Sequence, residues 1–295
     1  MKKLVMLGLV LSLVITLALA GCTQGSDTKE GVAPDENSNK DITLTFGVTP
    51  WTSTVPPTYV AKLLLEDMGY TVKLQNADVG VVYTGLSSGS LDIFMDAWLP
   101  DMHKNYMEQY GDKLVDTAVS YTEGELGWAA PSYVDIDSVA DIVGNEELFK
   151  GKIYGIDEGA GMTITSREMI DAYGLDLEYV ASSEAAMLAQ VQKELAKEEP
   201  VLFLGWRPHS MFVKFDIKVL EDPKEYFKTS EVHVITTAGL ADKAPEAFEF
   251  LANWSMPVGD IEQMILDIDD GADPEERAKQ WIEENQDKVS KMLGK

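Results

Sequence analysis

Cysteine, histidine and basic residues are scarce in this chain of 295 residues, and each shortage excludes a class of protein. The single cysteine, Cys22, rules out a disulfide within the chain. The three histidines share no metal-ligand spacing on one predicted element, so no metal site is expected. The 24 basic residues against 50 acidic ones give a net charge of −26, and such a surface repels phosphate backbones, which argues against nucleic-acid binding.

Sequence motifs of common enzyme classes are also missing. The chain contains no Gly-x-Ser-x-Gly nucleophile motif, no phosphate-binding Walker loop and no metalloprotease helix. The glycine-rich segment 155–161 lacks the spacing of a dinucleotide-binding loop, and the acidic segment 267–276 has its glycine in the wrong place for an EF-hand. An enzyme acting on a small zwitterion, with His103 as general base, stays an open alternative that lacks a nucleophile and a cofactor site.

The N-terminus has the composition of an export signal. Two lysines precede an apolar run over residues 4–20, and Gly21 and Cys22 follow it as a small-residue processing site. A retained membrane-spanning helix is the less favoured alternative, because the run is short of about 20 apolar residues and ends at Gly-Cys. Residues 1–21 are therefore predicted to be a lipoprotein signal peptide. Cys22 matches a lipobox, which implies a diacylglyceryl group on its sulfur and anchoring to the outer face of the cell membrane.

The segment after the predicted processing site has the composition of a linker. Residues 22–40 contain no aromatic side chain, and only Val32 and Ala33 are weakly apolar, which is too little to bury. We predict a flexible tether with an r.m.s. span of roughly 25 Å. A tether of this length lets the following domain reorient at a membrane surface.

Short apolar runs alternate with amphipathic segments in an α/β pattern, and this pattern occurs twice. The first copy predicts strands over residues 43–48, 71–74 and 91–95 and helices over 55–68 and 79–86. The second predicts strands over 152–156, 178–180 and 201–204 and helices over 162–173 and 184–197. Residues 96–100, Asp-Ala-Trp-Leu-Pro, also resemble residues 204–208, Leu-Gly-Trp-Arg-Pro. We therefore predict two similar lobes, each with a Trp-x-Pro corner just beyond a buried strand.

Two further extended segments, residues 127–133 and 231–236, lie where the chain should pass between the lobes. Only helices are predicted after them, over residues 244–254, 258–269 and 274–293. The fold predicted is α/β, with two lobes joined by two crossing strands. Its first lobe comprises residues 41–130 plus 235–295, and its second residues 131–234. Ligands of open α/β sheets bind beyond the carboxyl ends of the strands, so the facing lobes define a cleft.

Three of the six tryptophans, Trp51, Trp98 and Trp206, each follow a predicted strand and should therefore face this cleft. One tryptophan after a strand is more often a packing residue, but three at equivalent places favour an aromatic box. Aromatic faces suit a quaternary ammonium group, which has no N–H to donate and is attracted by the ring quadrupole. The other three tryptophans are interpreted as packing residues: Trp128, Trp254 and Trp281.

A box of three rings requires a second anchor for tight binding. Three cation–ring contacts contribute roughly 1.5–6 kcal/mol by simple summing, whereas micromolar binding needs about 8 kcal/mol. Betaines carry a carboxylate that can supply the remainder. The loop after Gly155 and Ile156 leads into a predicted helix and offers backbone amides to an anion. His103, five residues after Trp98, can add a side-chain hydrogen bond.

Four segments carry a resemblance to a known family: Gly47-Val48-Thr49-Pro50-Trp51, Asp96-Ala97-Trp98-Leu99-Pro100-Asp101-Met102-His103, Tyr154-Gly155-Ile156-Asp157-Glu158-Gly159-Ala160-Gly161 and Leu204-Gly205-Trp206-Arg207-Pro208-His209. From about Ile42 to its C-terminus the chain resembles the glycine betaine and proline betaine binding proteins of ABC importers, a branch of the two-lobed periplasmic binding proteins. The resemblance implies these ligand-binding residues: Trp51, Trp98 and Trp206 for the ammonium, and Gly155, Ile156 and His103 for the carboxylate. Some relatives use tyrosines in the box, so this chain is most similar to the glycine betaine branch. The role of His209 stays open.

The resemblance also implies a function. We expect an extracytoplasmic, monomeric binding protein without enzymatic activity, cofactor or metal, which delivers glycine betaine or a related osmolyte to an ABC importer permease for osmoprotection. Choline, carnitine and proline betaine remain open as ligands. A tethered ligand-sensing module that signals to a receptor remains open as the alternative function.

Overall fold

A computed structural model of the chain describes Asn39 and residues 41–295. The strands are β1 Thr43–Val48, β2 Thr71–Asn76, β3 Ile93–Leu99, β4 Leu114–Pro131, β5 Lys152–Gly155, β6 Glu178–Ala181, β7 Phe203–Arg207, β8 Ile217–Val219 and β9 Ser230–Thr237. The α-helices are α1 Val55–Asp67, α2 Val79–Ser88, α3 Lys104–Tyr110, α4 Gly161–Tyr173, α5 Glu184–Leu195, α6 Met211–Lys214, α7 Leu240–Lys243, α8 Pro245–Ala252, α9 Val258–Asp269, α10 Pro274–Glu284 and α11 Gln286–Met292. Short 3-10 helices cover Thr52–Thr54, Gly111–Lys113, Val139–Ile142 and Glu146–Phe149. The predicted signal peptide, Cys22 and the tether except Asn39 lie outside the described residues.

The strands pair in the order β2-β1-β3-β9-β4-β7-β5-β6, and β8 pairs with β4. β1 is parallel to β2 and β3, and β5 is parallel to β6 and β7. The long strand β4 passes from one group to the other, since residues 114–124 pair with β9 and residues 125–131 pair with β7 and β8. We call β1, β2, β3 and β9 with residues 114–124 the first half of the sheet, and β5 to β8 with residues 125–131 the second half. The helices and loops that pack on each half are counted with it.

Burial and local sequence explain why these segments form strands and helices. All seven residues of β3 are buried, as expected of a central strand covered on both faces. α1 has Pro56 and Pro57 in its first turn, where a missing amide donor costs nothing. From β9 onward the chain stays in the first half, where α9 and α10 pack against α1. No helix among the described residues is long and apolar enough to span a bilayer.

The doubled α/β pattern predicted from the sequence is present, with differences at several element ends. The strand predicted to end at Met95 continues to Leu99, and the one predicted to end at Leu204 continues to Arg207. Trp98 and Trp206 therefore lie on the strands rather than after them, because antiparallel pairing with β9 and β4 extends each strand. The helix predicted over residues 274–293 is interrupted at Asn285, whose side-chain amide donates to the Trp281 carbonyl at 2.8 Å. Such local side-chain bonds compete with the helical ones.

Candidate functional site

A small cavity lies where the two halves of the sheet meet. Its walls are formed by eleven residues: Trp51, Ser53, Trp98, Met102, His103, Leu126, Ile156, Ala160, Gly161, Met162 and Trp206. Each of them is buried, so the walls are shielded from bulk solvent and the cleft is closed. The structure thus brings together five of the six residues predicted to bind a ligand, namely all except Gly155.

Trp98 is held in the wall by a buried carboxylate. Its indole Nε1–H donates to Asp96 Oδ1 at 3.0 Å, and the hydroxyls of Ser53 and Thr54 donate to Asp96 Oδ2 at 2.7 Å each. Burial raises the pKa of Asp96 from its usual value to about 6, although these three hydrogen bonds oppose the shift. The carboxylate therefore carries a negative charge at neutral pH at the edge of one ring of the cavity.

Trp51 has a similar partner from the opposite half of the sheet. Its indole Nε1–H donates to Asp157 Oδ2 at 3.2 Å, and the ring stacks on His103 with centroids 5.9 Å apart and planes at 24°. Burial raises the pKa of Asp157 above its usual value, while the bond from Trp51 opposes the shift. Two of the three tryptophans thus donate their indole N–H to a carboxylate, and both carboxylates lie at the edges of the rings.

Trp206 is positioned by packing rather than by such a bond. The ring of His209 meets it edge to face, with centroids 4.9 Å apart and planes at 89°. His209 is fully buried, and its Nε2 lies 3.1 Å from Oε1 of Glu184. His209, whose role the sequence left open, therefore supports the box from behind rather than lining the cavity.

The hydrogen bonds of His103 indicate that its ring is neutral and acts as a donor. The backbone N–H of Trp98 donates to its Nδ1 at 3.1 Å, so Nδ1 carries no proton and the proton of the ring lies on Nε2. Burial lowers the pKa of His103 to about 3, which keeps the ring neutral in the physiological range. His103 thus offers an N–H to a ligand without bringing a second positive charge near an ammonium group.

The start of α4 also lines the cavity, through Ala160, Gly161 and Met162. Ala160 precedes this helix in an extended conformation and provides no side-chain cap for its first amides, while the N–H groups of Thr163 and Ile164 donate to the Ala160 carbonyl. Ile156 also lines the cavity, whereas Gly155 does not. A Cβ at Gly155 would lie 1.9 Å from the Tyr179 hydroxyl, so glycine there makes room for the Tyr179 ring. The predicted contact between Gly155 and a ligand stays a prediction.

Direct contacts across the cleft hold the two halves together. The Tyr106 hydroxyl, from the first half, donates to the carbonyl of Gly159 in the second at 2.8 Å. Gly161 lies so close to Met102 that a Cβ on it would be 2.1 Å from the Met102 carbonyl oxygen. The backbones of the two halves therefore touch beside the cavity, and the geometry of the site depends on closure.

Several residues of the site were not identified from the sequence. Asp96 and Asp157 lie in the segments that carried the family resemblance, but nothing in those segments showed that they accept indole hydrogen bonds. Glu184 begins α5 and is 4% exposed, although a glutamate in a first helical turn usually stays in solvent. An acidic residue directly after a predicted buried strand, as at Asp96, is the one signal that could have been noticed. Among residues 41–295 and Asn39, no cluster of His, Cys, Asp or Glu is placed to ligate a metal.

A closed, aromatic-lined cleft between two α/β halves defines the class of two-lobed substrate-binding proteins, and solved structures agree. The closed, glycine betaine-bound structure of lactococcal OpuAC has a TM-score of 0.81 at 31% identity, with 86% of this chain and 100% of that one covered. An ABC-transporter choline binding protein in complex with choline has a TM-score of 0.80 at 27% identity, with 85% and 91% covered.

The chain belongs to the family described as the substrate binding domain of ABC-type glycine betaine transport systems, whose model matches residues 42–284. The glycine betaine/carnitine transport binding protein GbuC of Listeria monocytogenes is 41% identical over 187 residues. That alignment covers 61% of this chain and 60% of the Listeria protein, so this chain aligns with about three fifths of that relative's length. The family and fold predicted from the sequence are confirmed.

Proposed function

We propose that this chain captures glycine betaine between its two lobes and delivers it to the permease of an ABC importer, as an osmoprotection system requires. The observation that carries the proposal is a closed cavity lined by Trp51, Trp98 and Trp206 with a neutral histidine beside them. Membership of the glycine betaine transport family supports it. The resemblance to both a glycine betaine complex and a choline complex supports a quaternary ammonium as the shared ligand chemistry.

The ammonium group is assigned to the three tryptophans. Each ring face over a desolvated cation contributes roughly 0.5–2 kcal/mol. Asp96 and Asp157 strengthen this attraction, because they accept hydrogen bonds from two of the indoles and place negative charge at the edges of the rings. A neutral ligand of the same shape gains nothing from these carboxylates, so the box favours a cation.

The carboxylate of the ligand is assigned to the other wall of the cavity. His103 would donate from Nε2, and the backbone at Ile156 and the first turn of α4 would supply amide donors. A hydrogen bond to a charged group contributes about 1.5–3 kcal/mol. Two or three such bonds supply the binding energy that the ring contacts lack.

Calorimetric titration of the purified protein tests the proposal with four ligands: glycine betaine, proline betaine, carnitine and choline. Saturable binding of glycine betaine with a dissociation constant of about 10 μM or tighter is expected, since ring contacts and carboxylate donors together contribute roughly 4.5–15 kcal/mol, a range that spans the ~8 kcal/mol of micromolar binding. Absence of binding to all four ligands would refute the proposed function. Preference for choline over glycine betaine would refute the assignment of a carboxylate anchor.

His103→Asn separates the carboxylate anchor from the box. The asparagine oxygen can still accept from the Trp98 amide in place of Nδ1, but the Nε2–H is lost. We expect glycine betaine affinity to fall about 10–100-fold, while choline, which has no carboxylate, keeps its affinity within about 3-fold. Titration of both ligands measures the difference.

His233→Asn is the control for that variant. His233 lies away from the cavity and pairs with Asp116 at 2.8 Å, so the affinity for either ligand should not change. Equal losses of glycine betaine and choline binding in His103→Asn would contradict the assigned role.

The proposal also covers the lobe boundaries and the N-terminal segments. Residues 41–130 plus 235–295 are proposed as the first lobe and residues 131–234 as the second. Residues 1–21 are proposed as the signal peptide, with lipid on Cys22 and residues 22–40 as the tether. The mature protein would then act outside the cytoplasm, anchored to the membrane that carries its permease.

A further inference from the structure

Glu184 places a buried carboxylate between two walls of the box. It begins α5 in the second half of the sheet, and only 4% of its surface is exposed. Its Oε2 accepts from the backbone N–H of Thr52 at 3.1 Å, and its Oε1 lies 3.1 Å from Nε2 of His209. Each oxygen thus has its own donor. A buried carboxylate requires such partners to offset its desolvation.

The bond with His209 is a donation from the ring to Glu184. The backbone N–H of Met211 donates to Nδ1 of His209 at 2.9 Å, so Nδ1 is an acceptor and Nε2 carries the proton. This orients the imidazole edge to face with Trp206. Glu184 therefore fixes the ring that supports one tryptophan of the box.

The bond with Thr52 reaches the opposite wall. Thr52 directly follows Trp51 and opens the short 3-10 helix Thr52–Thr54 of the first half. Because Glu184 belongs to the second half, this bond forms only when the two halves are closed. The His209 bond lies within the second half and does not depend on closure.

From this arrangement we infer that Glu184 is a positioning residue that joins the Trp51 and Trp206 walls across the cleft and holds the closed, ligand-binding conformation. The inference rests on the proposed function, since it concerns release of the ligand held by that box. A contact made only in the closed state slows opening without affecting encounter with the ligand. Its loss should therefore raise the dissociation rate and leave the association rate nearly unchanged.

Glu184→Gln tests the inference with little change in volume. The amide can accept from only one of the two donors, so either Thr52 or His209 faces an NH2 group. We expect glycine betaine to dissociate at least about tenfold faster, with association within about 3-fold of wild type, in stopped-flow tryptophan fluorescence. The midpoint of thermal unfolding of each variant shows whether it is folded.

Glu194→Gln is the matched control. Glu194 lies on the same helix, is 5% exposed, and accepts from Lys150 at 3.0 Å on a surface away from the cavity. This variant should lose thermal stability but keep both rate constants within about 2-fold of wild type. An equal rise of the dissociation rate in the two variants would show a general stability effect and overturn the inference.

Thr52→Pro removes the amide donor itself. It provides a second test of the inference if Glu184→Gln does not fold. Proline suits the first residue of a helix, and the extended Trp51 before it (φ −111°, ψ 140°) is compatible with a following proline. The Thr52 hydroxyl has no hydrogen-bond partner among the described residues, so its loss breaks no bond. The same rise in dissociation rate is expected, and it should not add to that of Glu184→Gln.

The outcomes separate this inference from the proposed function. Wild-type dissociation rates in both Glu184→Gln and Thr52→Pro would overturn the inference alone. Absence of glycine betaine and choline binding by the wild-type protein would overturn the proposed function and this inference with it.

Discussion

Gly161→Ala is expected to weaken glycine betaine binding about 100-fold or more while the protein stays folded. The new Cβ would lie 2.1 Å from the carbonyl oxygen of Met102 and 2.7 Å from its Cα, and real Cβ atoms do not approach so closely. Met102 belongs to the first half and Gly161 to the second, so the clash is relieved by separating the halves. A cleft that cannot close loses the contacts made only in the closed state, and 100-fold corresponds to about 2.7 kcal/mol.

The matched control for this variant is Gly259→Ala. Gly259 also lies in the first turn of a helix, α9, but nothing lies within 4 Å of the position where its Cβ would be. Alanine is the better helix former, so neither variant should lower the midpoint of thermal unfolding by much. Calorimetry should show normal affinity in Gly259→Ala and weak binding in Gly161→Ala. Normal affinity in both would mean that the backbone contact with Met102 is not required for closure.

Trp98→Ala should reduce glycine betaine affinity by about 100-fold or more. The substitution removes one ring face of the box, and it also leaves Asp96 Oδ1 without the indole donor that it accepts at 3.0 Å. A lost cation–ring contact costs roughly 0.5–2 kcal/mol. The lost packing around the ammonium and the unpaired buried carboxylate add to this cost. Calorimetric titration measures the change, and unchanged affinity would contradict the assignment of the box.

A pair of phenylalanine variants separates binding from stability. Trp98 and Trp281 are both buried, and each donates its indole N–H to a carboxylate at 3.0 Å, to Asp96 and Asp260 respectively. Trp98→Phe and Trp281→Phe therefore lose the same kind of hydrogen bond and the same ring atoms. Both should lower the midpoint of thermal unfolding, but only Trp98→Phe should weaken ligand binding.

The candidate site was predictable from the sequence where its residues occur in recognisable segments. The three cavity tryptophans each lie close to the end of a buried strand, and both α/β copies show periodicity that requires no tertiary information. His103 and Ile156 were found in the same way, and the structure places them on the cavity wall. The doubling of the pattern was informative because equivalent strand ends face each other across a cleft.

The positions of the charged partners could not be predicted in this way. Asp96, Asp157 and Glu184 form hydrogen bonds with residues 2, 106 and 132 positions away, and the two longer ones cross between the halves of the sheet. The sequence does not show whether an acidic side chain lies in solvent or accepts a hydrogen bond from a buried N–H group. The tautomers of His103 and His209 likewise depend on backbone amides that only the folded chain brings to their Nδ1 atoms.

By itself the sequence determined the α/β class, the two lobes, the family and the three tryptophans of the box, because hydrophobic periodicity and strand-end motifs are local properties. Tertiary structure alone decided that Gly161 meets the Met102 backbone, that Gly155 makes room for Tyr179, and that Glu184 joins two walls of the box. Each of these features is an approach between segments far apart in the chain. Such distances are set by how strands pair and how the cleft closes, and neither is encoded in a local pattern of residues.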